Sequence, residues 1–461
     1  YTAGSMVPMY NLSGTFAGSR GGYARDNTAL ASVLNAEGDW NRNFRMNTAF
    51  FAEIKDPWVK GLTLRSQFAV SLNGGWSRNF SERSEDWNKE GTTTNTLSES
   101  ANWSFNWQWT NTVQYKTRLA DHHDITAMLG MEALKNGIGH SMSGSRSDYA
   151  FPADQNTWTL NNGSVASTSL SGSRNGFYTM FGFFGRVDYS YDGKYLVTAT
   201  LRRDASSRFG ANNRWGTFPS VSLGWRMSDE AFLASAHESW LDDLKLRAGY
   251  GTTGNSNIAN YNFAYQYGTS PSYSYALDGS NMTAGYVQTA MGENTTKWET
   301  VKMANVGVDL TALNNKLTAN VDFYVKTTSD MLLRAAYTSM AGSASKPSVN
   351  IGSMKNTGID VTLGWRDKIG KLGYNISATA SWYKNEVTEL GGADLFDGDN
   401  RIGEQAQRTT VGQPVGMFFG YQVDGIYQSP EDVVKYGVVP MGAADIQSAS
   451  ATSVGNYKYK D

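Results

Sequence analysis

The sequence lacks three features that would place it in familiar classes of protein. It has no cysteine among its 461 residues, so neither a disulfide framework nor a thiolate metal site can stabilise its fold. It has no apolar run of about 18 residues, and its mean hydropathy is -0.45, which excludes a helical membrane protein. With 40 Lys and Arg against 42 Asp and Glu, its net charge of -2 gives no reason to expect nucleic acid as a partner.

Glycine and aromatic residues are abundant instead. The chain has 48 glycines against 9 prolines, and 13% of its residues are aromatic, including 14 Trp and 25 Tyr. A chain of this length can hold several ordinary domains or one large β architecture. It begins with YTAGSMVPMY, which contains neither an initiator Met nor a charged and apolar leader, so we expect a segment of a longer protein.

One long stretch shows how the aromatic residues are arranged. Residues 101–119 read ANWSFNWQWTNTVQYKTRL, with large apolar residues at most odd positions and polar residues at every even one. A period of two places the apolar groups on one face of a β-strand and the polar groups on the other. At about 3.3 Å per residue this strand would be roughly 56 Å long. A strand tilted by about 40° crosses the apolar band of an outer-membrane barrel in about ten residues, so we predict that this one continues well beyond the band.

The same alternation recurs along the chain and predicts about twelve amphipathic strands. Their apolar residues, two positions apart, fall within 44–54, 62–72, 103–119, 125–131, 177–191, 197–201, 221–225, 244–250, 306–310, 317–325, 359–365 and 374–382. The pattern also predicts one turn. Between Tyr191 and Tyr195, only a three-residue loop keeps both apolar sets on one face, and Gly193 is its natural left-handed residue.

The connections between these strands alternate in length. Short ones are predicted around residues 55–61, 120–124, 192–194, 311–316 and 367–371, long ones around 74–101, 135–176, 253–303, 329–355 and 386–416, and moderate ones around 204–218 and 228–243. Outer-membrane barrels have this layout because one rim turns by tight hairpins while the other carries long external loops. The pattern favours an all-β fold, an antiparallel transmembrane β-barrel. A soluble protein with two packed apolar faces stays open as the alternative, and a β-solenoid is disfavoured because no fixed repeat is present.

A series of motifs runs along the chain in a fixed order. Within residues 182–255 these are LRRDASSRFG, NNRWG, FPSVSLGWR and LKLRAGYG, supported elsewhere by PMYNLSGTFAG, TTKWETVKMANVGVDL, NTGIDVTLGW and VGQPVGMFFGYQVDGIY. In these motifs the sequence resembles the SusC/RagA family of TonB-dependent outer-membrane transporters. The resemblance implies a barrel of about 22 strands with a plugged lumen. It also implies energy from a TonB complex in the inner membrane, a SusD-like lipoprotein lid, and import of oligosaccharides or peptides.

Relative to that family, we expect the chain to be one segment of the barrel domain, spanning residues 1–461. Residues 1–42 would lead into the first strand, 43–385 would form about twelve of the barrel strands, and 386–461 would form a long external loop region that stops before the last strands. The plug domain and the TonB-box segment would lie outside this segment. A partial barrel leaves an open sheet edge in lipid, so the segment alone is not expected to transport.

Aromatic side chains in the long connections are the candidate ligand-binding residues. The stretch YNFAYQYGTSPSYSYALDG lies in the longest connection, and sugars stack on exposed rings through their apolar faces. The candidates are Trp158, Tyr261, Tyr265, Tyr267, Tyr273 and Tyr275. A structural role stays open for them, because Tyr is also a common strand and girdle residue.

The charged motif LRRDASSRFGANNRWG has two possible roles. Its residues could contact a polar ligand through charge-assisted hydrogen bonds and ring stacking. We expect instead that they are structural and brace the strand end and its external loop. The residues are Arg202, Arg203, Asp204, Ser206, Arg208, Phe209, Gly210, Arg214 and Trp215.

Catalysis, a cofactor and a metal have little support in the sequence. His122 and His123 lie between two aspartates in ADHHD, but adjacent side chains on a tight turn point in different directions, so a solvated turn is expected rather than a metal site. No P-loop, GxSxG or HExxH pattern is present. We expect a non-enzymatic protein of the outer membrane, in contact with lipid.

The residues together with the resemblance favour a TonB-energised importer of oligosaccharides or peptides that works with a SusD-like surface lipoprotein. Two alternatives stay open. One is a TonB-dependent receptor for a siderophore or cobalamin, and the other is an outer-membrane adhesin or structural barrel without transport. The identity of the substrate is not determined by the sequence.

Overall fold

The protein is described from a computed structural model. The structure describes residues 38–81, 94–269, 275–276, 282–283, 285–334, 342, 344–391, 395–397, 407–420, 422–436 and 454–460. Within these ranges, no helix has the length and apolar character needed to cross a bilayer.

The described residues form mostly antiparallel strands, most of them long. The strands are β1 (Trp40–Lys55), β2 (Leu62–Ser81), β3 (Thr96–Leu119), β4 (His123–Ser147), β5 (Ser169–Arg174), β6 (Tyr178–Tyr191), β7 (Tyr195–Ser206), β8 (Trp215–Arg226), β9 (Leu241–Asn255), β10 (Gln266–Thr269), β11 (Tyr275–Ala276), β12 (Met282–Thr283), β13 (Tyr286–Ala290), β14 (Glu299–Ala312), β15 (Leu317–Arg334), β16 (Ser348–Ile369), β17 (Leu372–Glu389), β18 (Leu395–Asp397), β19 (Gln407–Thr409), β20 (Met417–Phe418), β21 (Val423–Ile426) and β22 (Tyr457–Tyr459).

Helical elements are short. The α-helices are α1 (Ala234–His237) and α2 (Pro430–Tyr436), and the 3-10 turns are Gln155–Thr157, Leu160–Asn162, Val165–Ser167, Ala211–Asn213, Met227–Asp229 and Ala231–Leu233. They lie in connections or after the last long strand, so the architecture of the described chain is carried by strands.

Thirteen strands form one sheet. Its order is β1-β2-β3-β4-β6-β7-β8-β9-β14-β15-β16-β17, with β5 added beside the end of β4. Consecutive neighbours in this order pair antiparallel, and the order follows the chain. The twelve strands of the main path confirm the predicted number.

The strand register aligns the apolar residues of neighbouring strands on one face. One row runs from Ala127 on β4 through Val187, Ala199 and Val221 to Tyr250 on β9. Because directly paired residues point to the same side of a sheet, the predicted alternation produces a continuous apolar face, and the intervening residues form a polar face.

The apolar face is not covered by a second layer of the described chain. Leu129 is 70% exposed, Phe50 67% and Trp103 42%. A soluble sandwich would bury these side chains between two sheets, whereas a membrane barrel presents them to lipid. The architecture therefore agrees with the predicted barrel class and not with the soluble alternative.

Long and short connections lie at opposite ends of the sheet, as predicted, but several strands extend further than the sequence indicated. β2 continues to Ser81, β3 begins at Thr96, and β4 continues to Ser147. The predicted connections 74–101 and 135–176 were therefore too long. Outside the apolar band both faces of a strand can be polar, so the alternation disappears although the ladder of backbone hydrogen bonds continues.

The end of the sheet with the short connections, which we call the short end, carries the tight turns. Tyr191 pairs with Tyr195 across the predicted three-residue loop, and Gly193 has the predicted positive φ of 71°. Asp192 is left-handed as well, at φ 50°, which the sequence did not indicate. The longer β8–β9 connection at this end is fixed to the sheet by Glu230. Its Oε1 accepts hydrogen bonds from the hydroxyl of Tyr195 (2.6 Å) and the indole N–H of Trp225 (3.1 Å), which lower the pKa of this carboxyl.

Candidate functional site

The polar face of the sheet carries ion pairs that span neighbouring strands. Arg247 on β9 donates to both oxygens of Asp309 on β14 at 2.7 and 2.8 Å, and to both oxygens of Asp322 on β15 at 2.9 Å. Gly307 lies between the two aspartates, and a Cβ at this position would fall 2.8 Å from Arg247 Nη2. The bidentate geometry fixes the guanidinium across three strands.

A second network lies on the same face, between β3 and β7. Arg202 donates to Glu132 Oε1 at 2.8 Å and to Asp204 Oδ2 at 2.7 Å. The other oxygen of Glu132 accepts from Gln108 on β3 at 2.8 Å. These side chains are satisfied by one another, so the network braces the wall while leaving it polar toward the interior.

The remaining residues of the charged motif pack at the long-connection end of the sheet. Arg203 lies 5.3 Å from the ring centroid of Trp215. Arg208 lies 3.9 Å from the ring centroid of Tyr178, and donates to Asn260 Oδ1 at 3.0 Å and to the carbonyl of Ser256 at 3.1 Å. Arg208 therefore ties the motif to the start of the longest connection.

A small apolar cluster lies directly beside these arginines. We call it the strand-end core, and it consists of Phe209, Phe218, Ile258 and Trp298. Phe209 is fully buried, and the indole N–H of Trp298 donates to the carbonyl of Arg214 at 2.8 Å. Ser206 is 1% exposed, and its backbone N–H donates to the same carbonyl at 3.0 Å. The carbonyl of Asn294 lies 2.7 Å from where a Cβ on Gly210 would be, so Gly210 permits this close approach.

These contacts favour the structural interpretation of the motif. Ile258 and Trp298 were not predicted as partners of the motif. They come from the connection after β9, and nothing in the local spacing around the motif indicates a contact with residues so far along the chain. A Trp followed by a strand with apolar alternation, as in TTKWETVKMANVGV, was the only available signal.

Trp158 is buried, unlike the other candidate ligand residues that the structure describes. It belongs to a second cluster, the rim core, which consists of Phe80, Leu97, Tyr149 and Trp158. Its ring stacks on Phe80 with centroids 4.1 Å apart, and its N–H donates to the carbonyl of Pro152 at 2.9 Å. Burial in the same cluster raises the pKa of Tyr149. With 3% exposure, Trp158 presents no free ring face, so this placement favours a structural role.

The tyrosines of the longest connection are exposed. Tyr265 and Tyr267 are 62% and 66% exposed, and Tyr261 is 43% exposed with a positive φ of 62°. Tyr275 lies in β11, where only the backbone is described, and Tyr273 lies outside the described residues.

Tyr286 joins this exposed group although it is not among the candidates predicted from the sequence. It is 78% exposed and pairs with Thr269 in the β10–β13 hairpin, while Tyr267 pairs with Gln288 two positions further along. The register therefore places Tyr286 and Tyr267 on the same side of the hairpin. Tyr286 lies beyond the stretch 261–279 that contains the predicted tyrosines. Exposed rings on one side of a hairpin can stack against sugars or apolar side chains.

The paired histidines separate as expected for a turn. His122 Nδ1 contacts Asp192, whereas His123 Nδ1 lies 2.8 Å from the hydroxyl of Tyr189. Across the ranges that the structure describes, no group of three or more His, Asp or Glu side chains is arranged to hold a metal ion.

Comparison with known proteins gives consistent matches. A family model described as TonB dependent receptor-like, beta-barrel, matches residues 5–460. The chain is 34% identical over 252 residues to the TonB-dependent receptor SusC of Bacteroides thetaiotaomicron, covering 54% of this chain and 25% of that protein. It is 28% identical over 429 residues to a TonB-dependent receptor of Formosa agariphila, covering 92% and 38%.

Comparison with solved structures gives a match to the same kind of protein. The structure of the RagAB peptide transporter superposes with a TM-score of 0.76 at 27% sequence identity, covering 92% of this chain and 45% of that chain. The chain spans less than half the length of each of these relatives.

Proposed function

This chain belongs to the TonB-dependent receptor-like β-barrel family, and on that premise we propose that it forms part of the wall of an active importer in the outer membrane. The imported substrates would be oligosaccharides or peptides. Energy would come from a TonB complex, and a SusD-like surface lipoprotein would close the external mouth.

One observation carries this proposal, namely a single-layered sheet with an exposed apolar face and a braced polar face. Leu129 at 70% exposure and Phe323 at 50% are unfavourable in water, and burial of such side chains in lipid is worth about 1.5–3 kcal/mol each. If these side chains face lipid, then Arg247, Glu132 and Arg202 on the opposite face would line an aqueous interior. A wall of this kind suits passage of polar solutes.

The substrate class is supported by the named relatives and by the exposed tyrosines. SusC is 34% identical to this chain over 252 residues, and the RagAB peptide transporter superposes on it at 27% identity. Tyr265, Tyr267 and Tyr286 on the longest connection offer ring faces to either sugars or peptides. In this mechanism the external loops would capture the substrate, and the barrel wall would guide it inward. The plug would gate the passage, and the contact with TonB would supply the energy.

Uptake by the complete gene product tests the proposal. We expect cells that express it to accumulate labelled oligosaccharides or peptides from a mixed pool, and to lose this uptake when TonB is deleted. Deleting the lipoprotein partner should lower capture at low substrate concentration. TonB-independent uptake, or none from either pool, would contradict the proposed function.

Because these 461 residues contain no cysteine, single introduced cysteines can check the membrane orientation in the same cells, with the unsubstituted complete gene product as the background for labelling. Ser222→Cys on the polar face and Leu223→Cys on the apolar face are adjacent and both exposed, so they form a matched pair. A water-soluble maleimide should label the first and spare the second. Equal labelling of both would contradict the assignment of the two faces.

A further inference from the structure

The polar face changes character toward the long-connection end of β1 to β5. Four successive rows of paired residues there contain almost only Asn and Ser. We call this surface the asparagine–serine wall. It consists of Asn41, Asn43, Asn47, Ser71, Asn73, Ser77, Ser100, Asn102, Ser104, Asn106, Ser141, Ser143, Ser171 and Ser173.

The register shows how regular the wall is. One row runs Asn41, Ser77, Ser100, Ser143 and Ser171 across five strands. The next row begins at Asn43 and ends at Ser173, with Gly75 at its second position. With strands about 4.8 Å apart and rows two residues apart, the wall measures roughly 20 Å in each direction.

The wall contains one charge and no carboxylate. Within the four rows the single ionisable side chain is Arg45, whose Nε donates to Asn73 Oδ1 at 2.8 Å. Carboxylates return two rows closer to the short end, where Glu132 lies opposite Thr110, and one row further Glu53 lies 3.4 Å from Arg65. Ion pairs lie on other parts of the polar face, between Arg65 and Glu53, Arg202 and Glu132, and Arg247 and Asp309, so the neutral wall is a distinct surface.

Part of the hydrogen-bonding capacity of the wall is used internally. The hydroxyls of Ser77 and Ser100 are 2.8 Å apart, and those of Ser141 and Ser173 are 2.7 Å apart. Asn73 reaches Ser104 Oγ at 3.4 Å. These bonds fix the orientation of the side chains, which lowers the entropy cost of binding to them.

The remaining groups are free to bind. Within the described chain, the side chains of Asn47, Asn102, Ser143 and Ser171 have no hydrogen-bond partner, and all four residues are exposed. The amide oxygen of Asn43 lies over Gly75, where a Cβ would collide with it, and the amide nitrogen of Asn102 lies 3.4 Å from the same position. The glycine therefore lets the side chains of Asn43 and Asn102, both exposed residues, lie close together.

We propose that the asparagine–serine wall binds neutral, hydroxyl-rich oligosaccharides on their way through the importer. The inference rests on the proposed function and narrows its substrate class. Each amide and each hydroxyl both donates and accepts hydrogen bonds, as do sugar hydroxyls, so pairing succeeds in many orientations. Peptides and uronate-containing glycans carry charges, and this wall provides no carboxylate and one guanidinium to pair with them.

Binding to the complete gene product, purified with its lid partner, tests this inference. The probes are a pool of neutral hexasaccharides, a pool of uronate-containing hexasaccharides and a pool of hexapeptides. The test variant is Asn43→Asp with Asn102→Asp, which introduces two negative charges with little change of shape. We expect it to weaken binding of the neutral pool by about tenfold, because donors are lost and the added carboxylates must be desolvated.

Two further variants make the result specific. Asn43→Ser with Asn102→Ser keeps neutral donors and acceptors, and we expect binding within about threefold of wild type. Asn320→Asp adds a carboxylate to the charged part of the same face, between Asp309 and Thr362 in the register, and we expect no change.

The contrary outcomes separate this inference from the proposed function. TonB-dependent uptake of peptides or uronate glycans, without binding of the neutral pool, would overturn the inference and leave the importer in place. An Asn43→Asp and Asn102→Asp variant that loses its resistance to SDS would also overturn it, because the wall would then pack against another part of the protein. Absence of TonB-dependent uptake from all three pools would instead reject the proposed function.

Discussion

Aromatic side chains in the long connections occupy two environments that the sequence presents alike. Trp158 stacks on Phe80 and is 3% exposed, while Tyr265 and Tyr267 are more than half exposed. Two of its partners in the rim core, Phe80 and Leu97, lie on β2 and β3 and are brought together by strand pairing. No pattern around residue 158 reports that contact, so ligand binding and packing could not be distinguished from the sequence.

Substitution of these two kinds of aromatic residue should therefore have opposite effects. Trp158→Ala removes a buried ring, and we expect the rim core to lose about 3–5 kcal/mol and residues 148–168 to lose protection from hydrogen exchange. Tyr265→Ala with Tyr267→Ala should weaken ligand capture and leave exchange protection unchanged. Hydrogen exchange and ligand binding of the complete gene product measure both effects.

An exposed neighbour controls for the loss of a ring. Phe151 lies in the same connection and is 69% exposed, so Phe151→Ala should change neither measurement. Weaker ligand binding by Trp158→Ala with unchanged exchange protection would restore the ligand role of Trp158. Unchanged binding by the double tyrosine variant would remove that role from the tyrosines.

Strand pairing explains which elements the sequence predicts well. A strand that faces lipid on one side and water on the other must alternate, and all twelve strands of the main path show this. The segment IGHSMSGSRS at the end of β4 lacks the alternation, although it pairs with both β3 and β5. Its strand character comes from neighbours rather than from its own residues, and β5 was missed for the same reason.

The facing of β8 gives a direct test at the scale of one element. Leu223 is 51% exposed on the apolar face and pairs with Val197 and Ala248. In the complete gene product, Leu223→Arg should impair barrel assembly, at a cost of about 2–4 kcal/mol near the midplane of the bilayer. The yield of heat-modifiable barrel in outer-membrane fractions measures this effect.

The adjacent residue provides the matched control. Ser222 lies on the polar face, where an arginine remains in water, so Ser222→Arg should assemble like wild type. Equal yields from Leu223→Arg and Ser222→Arg would contradict the assignment of the faces throughout the sheet. The register links β8, through its neighbours, to all strands of the 13-stranded sheet.

At the scale of the whole molecule, the two edge strands of the sheet, β1 and β17, differ from its inner strands. Every inner strand of the main path has partners on both sides, whereas β1 and β17 each have one partner within the described residues. The backbone groups on their outer edges would be unpaired in lipid, at several kcal/mol each. A barrel removes such edges by closing the sheet on itself.

Closure therefore decides whether this sheet is stable in a membrane. We expect the chain of 461 residues, refolded alone in detergent micelles, to give no SDS-resistant monomer, whereas the complete gene product under the same conditions gives one. The open edges of β1 and β17 should instead pair between molecules, producing dimers or larger species. Gel migration with and without heating, combined with light scattering, distinguishes these results. A heat-modifiable monomer of the chain alone would show that its sheet closes without further strands.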